Sequence, residues 1–446
     1  MSRQAMTGSH STWFLSAPDS VSQARRGDPL GLRNLNNEAA DLLAPGLTNR
    51  TIDARWMSIL SWALVHSDRA WKKAGGAALR TADERAVRYD WLRPLELLWV
   101  KRSVHLGGEG YQALQWPGYR SLRRWDEARA DFGMTERQRK NHRQLGAYGA
   151  YRVLLRTARF TRNGDGWTPD EHAKRLAKHV DEQLERDGAL PRIGRPTNVD
   201  PASWWLQKGW HSWRAGGSKN PILLSPSNPI KKLAAAERRV LEDALFNDEA
   251  RLRCAEIVGA SKARDYVALC EELAKVVPNK GGDARLRSLG RLAALSSAGV
   301  DLLRATADAV AAGEDKLVRL ARHDNVVQAL DAFVAASNGW TSARHTKLFE
   351  SAIEADRLAG VAKARGRAAL LNQFVDHHVR HASGVPWLAR NNDTLLLDGA
   401  RSGVTAGGFG YRLHALSNLA YQCGVSDRVP PALSEMAAEI DTEASA

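Results

Sequence analysis

The sequence predicts a mainly α-helical protein, with a winged-helix-like module in its N-terminal half and a helical bundle with a small β-hairpin in its C-terminal half. Three observations predict this. Apolar residues recur at spacings of three and four in alanine-rich runs bounded by Gly or Pro. One stretch, 119–187, reads as helix, turn, helix, two-stranded hairpin, helix, the order of a winged helix-turn-helix. A further strand–turn–strand pattern falls near 386–398.

The elements follow in chain order. Residues 1–27 mix Ser, Gly, Gln and Arg without period and read as a flexible tail with no secretory h-region. A basic, Trp-rich domain is expected over 28–190. Leu35, Ala39, Leu42 and Leu43 share a helix face, stopped by Pro45-Gly46. Thr48 or Thr51 is placed to cap the next helix, whose apolar face carries Ile52, Trp56, Ile59, Leu60, Ala63 and Leu64 as far as His66. Another apolar helix is expected from Leu92 to Val104. Trp56, Trp62, Trp91 and Trp99, on apolar helix faces, read as core. Thr135 caps a short basic helix, Leu145-Gly146 breaks it, and AYGAYRVLLRTA forms the next. Arg159–Thr161 is extended, Asn163–Gly166 turns, and Pro169 opens a helix with Asp170 and Glu171 in its first turn.

Residues 191–230 form a Pro-rich connector containing SWWLQKGWHSWR. So many indoles need something to dock on, which makes Trp204, Trp205, Trp210 and Trp213 a partner-docking candidate. From 231 to 430 the pattern is helical, without a fixed repeat, apart from the 386–398 hairpin. Its last helix spans Gly410–Cys423. The 431–446 tail is acidic.

Composition bounds the function. Hydrophobic residues make up 43% and charged residues 26% of the chain, the balance of a folded protein. No run approaches ~20 apolar residues, so no membrane span or membrane partner is expected. Three scattered cysteines, Cys254, Cys270 and Cys423, offer neither a disulfide framework nor a thiolate zinc site, which suits a cytoplasmic protein. The net charge of +14 is uneven: residues 1–215 carry 35 Lys and Arg against 23 Asp and Glu, and 13 of the 15 tryptophans. Such asymmetry points to a polyanion partner for the first half.

The densest basic segment lies between Met134 and Arg162, with eight basic residues against the single acid Glu136. Arg137, Arg139, Lys140, Arg143, Arg152, Arg156, Arg159 and Arg162 are candidate nucleic-acid contacts, because guanidinium groups bind phosphate and guanine bidentately. Tyr148 joins them, since Tyr148, Arg152 and Arg156 stand at i, i+4 and i+8. Double-stranded DNA is the expected ligand. Catalytic signatures are few. There is no P-loop, no G-x-G-x-x-G after a strand, no G-x-S-x-G elbow and no H-E-x-x-H, so no cofactor is expected. Asp376, His377, His378 and His381 form the densest metal-ligand cluster, with His377 and His381 one helical turn apart. A solvated helix face is the favoured reading of that cluster, and a metal-dependent hydrolase or nuclease is the enzymatic alternative.

One segment resembles a known group. LGLRNLNNEAADLLAPGLTNRTIDARWMSILSWAL, at 30–64, resembles the N-terminal segment of a poorly characterised bacterial family found in mobile and antiphage-defence gene neighbourhoods. Asp41, Leu42, Pro45, Gly46, Thr51, Arg55 and Trp62 carry the resemblance, while Ala44, Asp53 and Trp56 depart from it. It implies a context and no catalytic residue. The expected function is a non-catalytic DNA-binding subunit of a multi-protein bacterial system, plausible in antiphage defence. A pure protein-assembly subunit is the remaining alternative.

Overall fold

The structure, a computed structural model, describes residues 28–48, 50–73, 88–93, 95–96, 99, 142–144, 146–162, 166–186, 232–263, 266–276, 282–342, 349–382, 386–397, 408–430 and 433. It is mainly helical. In order, the named helices are α1 (Arg33–Leu43), α2 (Arg55–Lys73), α3 (Ala147–Thr157), α4 (Glu171–Arg186), α5 (Ala235–Leu245), α6 (Glu249–Ala260), α7 (Tyr266–Val276), α8 (Gly282–Ala311), α9 (Leu317–Leu320), α10 (Asp324–Thr341), α11 (Ala352–Gly360), α12 (Arg367–His381) and α13 (Gly408–Cys423). The strands β1 (Leu388–Asn391) and β2 (Thr394–Leu397) precede α13. The tail 1–27, the connector 191–230 with its four tryptophans, and nearly all of the acidic tail lie outside the described residues.

The chain forms two compact units, 1–35 with 291–406, and 36–290 with 407–446. This division does not follow the expected 28–190 and 231–430 segments. In the second unit, α5 packs against α4, and α6 and α13 belong to the same unit as the N-terminal helices rather than to a separate bundle. Distant segments join because each amphipathic helix must cover its apolar stripe, and sequence order places no limit on which helix covers it.

In the 36–290/407–446 unit, α2 packs against α3 and α4, α4 against α5, and α5 and α6 against α13. The expected single apolar face of α2 is too narrow. Trp56, Met57, Ile59, Leu60, Trp62, Ala63, Leu64 and Val65 are all buried, as are Ser58 and Ser61. A helix with neighbours on several sides is buried all round. Its polar groups find distant partners: Ser58 Oγ donates to Glu237 (2.6 Å) and Trp62 Nε1 donates to Asp181 (2.7 Å). Asp53, rather than a threonine, caps α2, accepting from Arg55 N (2.9 Å), while Thr51 Oγ1 braces the turn on Thr48 O (2.8 Å). In α4 the buried residues Ala173, Leu176, Ala177, Val180 and Leu184 form one stripe. Burying each such leucine contributes about 1.5–3 kcal/mol. The four tryptophans expected in the core, Trp56, Trp62, Trp91 and Trp99, are buried. Among the described residues, helix is present from Arg88, upstream of the expected Leu92. The residues carrying the family resemblance serve packing here: Asp41 pairs with Arg412, Pro45 O accepts from Arg251 (2.8 Å), and Arg55 lies 3.7 Å from Glu237.

In the other unit, α10, α11 and α12 surround Phe333 and Phe374, whose rings meet edge to face at 5.0 Å. Trp340 Nε1 donates to Asp356 (2.8 Å). The expected hairpin forms in the register Leu388↔Leu397 to Asn391↔Thr394. Asn392, at φ 54°, begins its two-residue turn.

The histidine cluster belongs to this unit, and burial corrects the expectation of a solvated face. His377 is 7% and His378 0% exposed. His378 Nδ1 donates to Pro29 O (2.7 Å), and its Nε2 accepts from Trp387 N (2.9 Å). His377 Nε2 donates to Leu30 O (3.0 Å). Together they strap residues 29–31 onto α12. Gly31 completes the strap at φ 70°, where a Cβ would stand 2.8 Å from His381 Cβ. Burial pushes His377 down to about 4 and also lowers His378. In the other unit, burial pushes His414 down to about 4 as well.

Neutral imidazole is therefore favoured by folding, and the unfolded chain binds more protons below the ordinary histidine value of 6.5. Stability from these residues is complete above that value and is lost as pH falls from 6.5 towards 4. The expected slope is up to about 1.4 kcal/mol per pH unit for each such histidine. Denaturant titrations between pH ~7 and ~4 check this, and a flat profile would contradict it.

Candidate nucleic-acid interface

Helix α3 is the centre of the candidate site. Ala147, Tyr148, Ala150, Tyr151, Leu154 and Leu155 are buried at helical spacing, which leaves Arg152 and Arg156 exposed on the opposite side. Arg156 lies in the last turn, where the helix dipole favours a cation. The C-terminus closes with two bonds: Phe160 N donates to Leu155 O (2.8 Å) and Arg159 N to Arg156 O (3.1 Å). This is the Schellman arrangement, with buried Leu155 and Phe160 as its apolar pair. The chain then doubles back. Thr161 and Pro169 form an antiparallel bridge, Arg162 N donates to Thr168 O (3.0 Å), and Asp170 N donates to Phe160 O (2.9 Å). Residues 163–165 lie outside the described residues.

The structure places the nine candidate residues as follows. Arg143, Arg152, Arg156, Arg159 and Arg162 are exposed. Among the described residues, none of the five forms an ion pair with an acid. The contrast with α4 is direct. There Arg175 lies 3.6 Å from Asp243, Lys174 3.7 Å from Glu171 and Lys178 3.9 Å from Glu182. Arg137, Arg139 and Lys140 lie outside the described residues. Tyr148 departs from its expected position on the binding face. It is 5% exposed, stacks on Trp167 at 4.5 Å, and its hydroxyl donates to Gly166 O (3.2 Å). The spacing i, i+4, i+8 drifts by about 40° per step around a helix of 3.6 residues per turn, and that drift carries Tyr148 onto the apolar side.

Sequence reasoning missed the group that seats the N-terminus of α3. Glu96 is fully buried, and its Oε1 accepts from Tyr148 N (3.2 Å) at the positive end of the helix. Its Oε2 accepts from the Tyr89 hydroxyl (3.1 Å). Burial, then the Glu96 charge, push Tyr89 well above the usual phenol range, which keeps it a donor. His142 Nε2 stands 3.5 Å from Glu96 Oε1, and among the described residues both nitrogens of that buried ring lack a hydrogen-bond partner. Gly146 passes between them: a Cβ there would meet Glu96 Oε1 at 2.4 Å and His142 O at 2.7 Å. One signal was present in the sequence, namely an acid inside the apolar run LELLW.

The metal-ligand alternative finds no convergent set. His378 spends both ring nitrogens on backbone groups, and Asp376 pairs with Arg390 at 3.2 Å. Among the described residues, no group of three or more His, Cys, Asp or Glu is placed to hold a metal. No helix among the described residues is long and apolar enough to cross a membrane. No protein-family model matches the chain, and neither a curated protein nor a solved structure matches it.

Proposed function

We propose that this protein is a non-catalytic DNA-binding subunit of a bacterial multi-protein system, and that α3 and the return at 158–170 act as the recognition helix and wing. One observation carries this reading: five arginines, exposed and without acidic partners among the described residues, sit on one helix, the helical segment 142–144 before it and the return after it. Cations left without counter-charges in a folded protein suit a polyanion, and phosphate contacts with release of counterions supply the binding energy. The antiphage-defence context rests on the resemblance at 30–64 alone.

The test is a double substitution in the full chain. Arg152→Ala with Arg156→Ala is expected to weaken duplex DNA binding by roughly 1–3 kcal/mol and to flatten the dependence on salt, with melting temperature unchanged. Paired melts and DNA titrations read both quantities. An unfolded variant, or one that folds and binds as tightly as wild type, would remove this assignment.

A further inference from the structure

Arg159 occupies a backbone position that favours glycine. Its φ is 57°, in the left-handed region. It is the residue just past the C-cap Ala158, where the two bonds that end α3 require that conformation. A Cβ is disfavoured there, so an arginine needs an offsetting gain. The fold supplies none that is visible: the side chain is exposed, and its guanidinium has no hydrogen bond or ion pair among the described residues. The backbone on either side is nevertheless fixed. Phe160 is fully buried, with its amide on Leu155 O (2.8 Å) and its carbonyl accepting from Asp170 N (2.9 Å). Arg156 and Arg162, three residues away on each side, are exposed too. The rings nearest in sequence, Tyr148, Tyr151, Phe160 and Trp167, are all buried, so none of them offers a base a stacking surface.

We propose that Arg159 is a backbone-phosphate contact for duplex nucleic acid, retained at the joint between helix and return at the expense of stability. This rests on the DNA-binding reading above. A guanidinium on a pinned backbone loses less freedom on binding than one on a mobile loop. Phosphate is the group such a cation meets on a duplex without reading its sequence.

The experiment compares the full-length wild type with Arg159→Gly and Arg159→Lys. Thermal melts are paired with titrations of a short mixed-sequence DNA duplex over a salt series. Arg159→Gly is expected to melt higher than wild type, to bind about tenfold more weakly at ~100 mM salt, and to lose about one unit of salt slope. Arg159→Lys is expected to melt like wild type and keep its salt slope, because it retains both the Cβ and the charge. A glycine variant that binds as tightly as a DNA-binding wild type would overturn this inference and leave the DNA-binding reading in place. A glycine variant that melts at or below wild type would overturn the claim of strain. A wild type that does not bind duplex DNA would overturn the reading and this inference together.

Discussion

Trp167→Ala is expected to lower stability by about 3–5 kcal/mol, among the largest single-residue losses in the 36–290/407–446 unit. The indole is 6% exposed and lies nearly parallel to Tyr148, with ring centroids 4.5 Å apart and planes at 19°. Tyr148 in turn touches Tyr89, at 5.8 Å between centroids. Truncation opens a cavity beneath the return and removes the wall that holds the Tyr148 hydroxyl on Gly166 O (3.2 Å). The arginines keep their charges, so DNA binding by the fraction that remains folded should be unchanged. Denaturant midpoints with wild-type slopes measure the loss. A shift worth less than about 1 kcal/mol would mean that the site collapses around the missing ring and that the stack contributes little.

Glu96→Ala is expected to cost a comparable amount, roughly 3–5 kcal/mol, by a different route. It strands two buried donors, the Tyr148 amide (3.2 Å) and the Tyr89 hydroxyl (3.1 Å), and removes negative charge from the N-terminus of α3. Glu96→Gln keeps one acceptor oxygen of similar shape and should cost less. The order Ala worse than Gln is the diagnostic result. Equal, small losses in both variants would show that the carboxylate does not seat the helix. The effect on DNA binding should follow folding, since Glu96 is fully buried and cannot itself touch a ligand.

These tests need the whole chain. A cut near residue 190 would divide the 36–290/407–446 unit, taking α5 from α4 and leaving Ser58 without Glu237, 2.6 Å away. Loss of DNA binding by such a fragment would then report unfolding as readily as the loss of a contact.

The sequence by itself determined the helical character of this protein, the apolar faces of its helices, the core tryptophans Trp56, Trp62, Trp91 and Trp99, the β1–β2 hairpin and the arginines left exposed on α3. All of these follow from local periodicity and turn chemistry, which act over a few residues and are written where they act. Tertiary structure alone decided the rest. Helical drift turns Tyr148 away from Arg152 and Arg156 towards the apolar side, but only the return at 158–170 brings Trp167 over its ring. A charged or solvated fate for His377 and His378 is the default for that spacing. Residues 29–31, some 350 positions away, arrive with carbonyls that make both imidazoles interior groups. Glu96 reads as a misplaced acid until the amide of Tyr148 and the hydroxyl of Tyr89 reach it. Domain boundaries differ for the same reason: α5 could cover any apolar stripe, the one it covers lies on α4 in the N-terminal half of the chain, and α6 and α13 fall in the same unit. A polar group's cost on burial depends on the partner that meets it, and in this fold those partners come from distant segments of the chain.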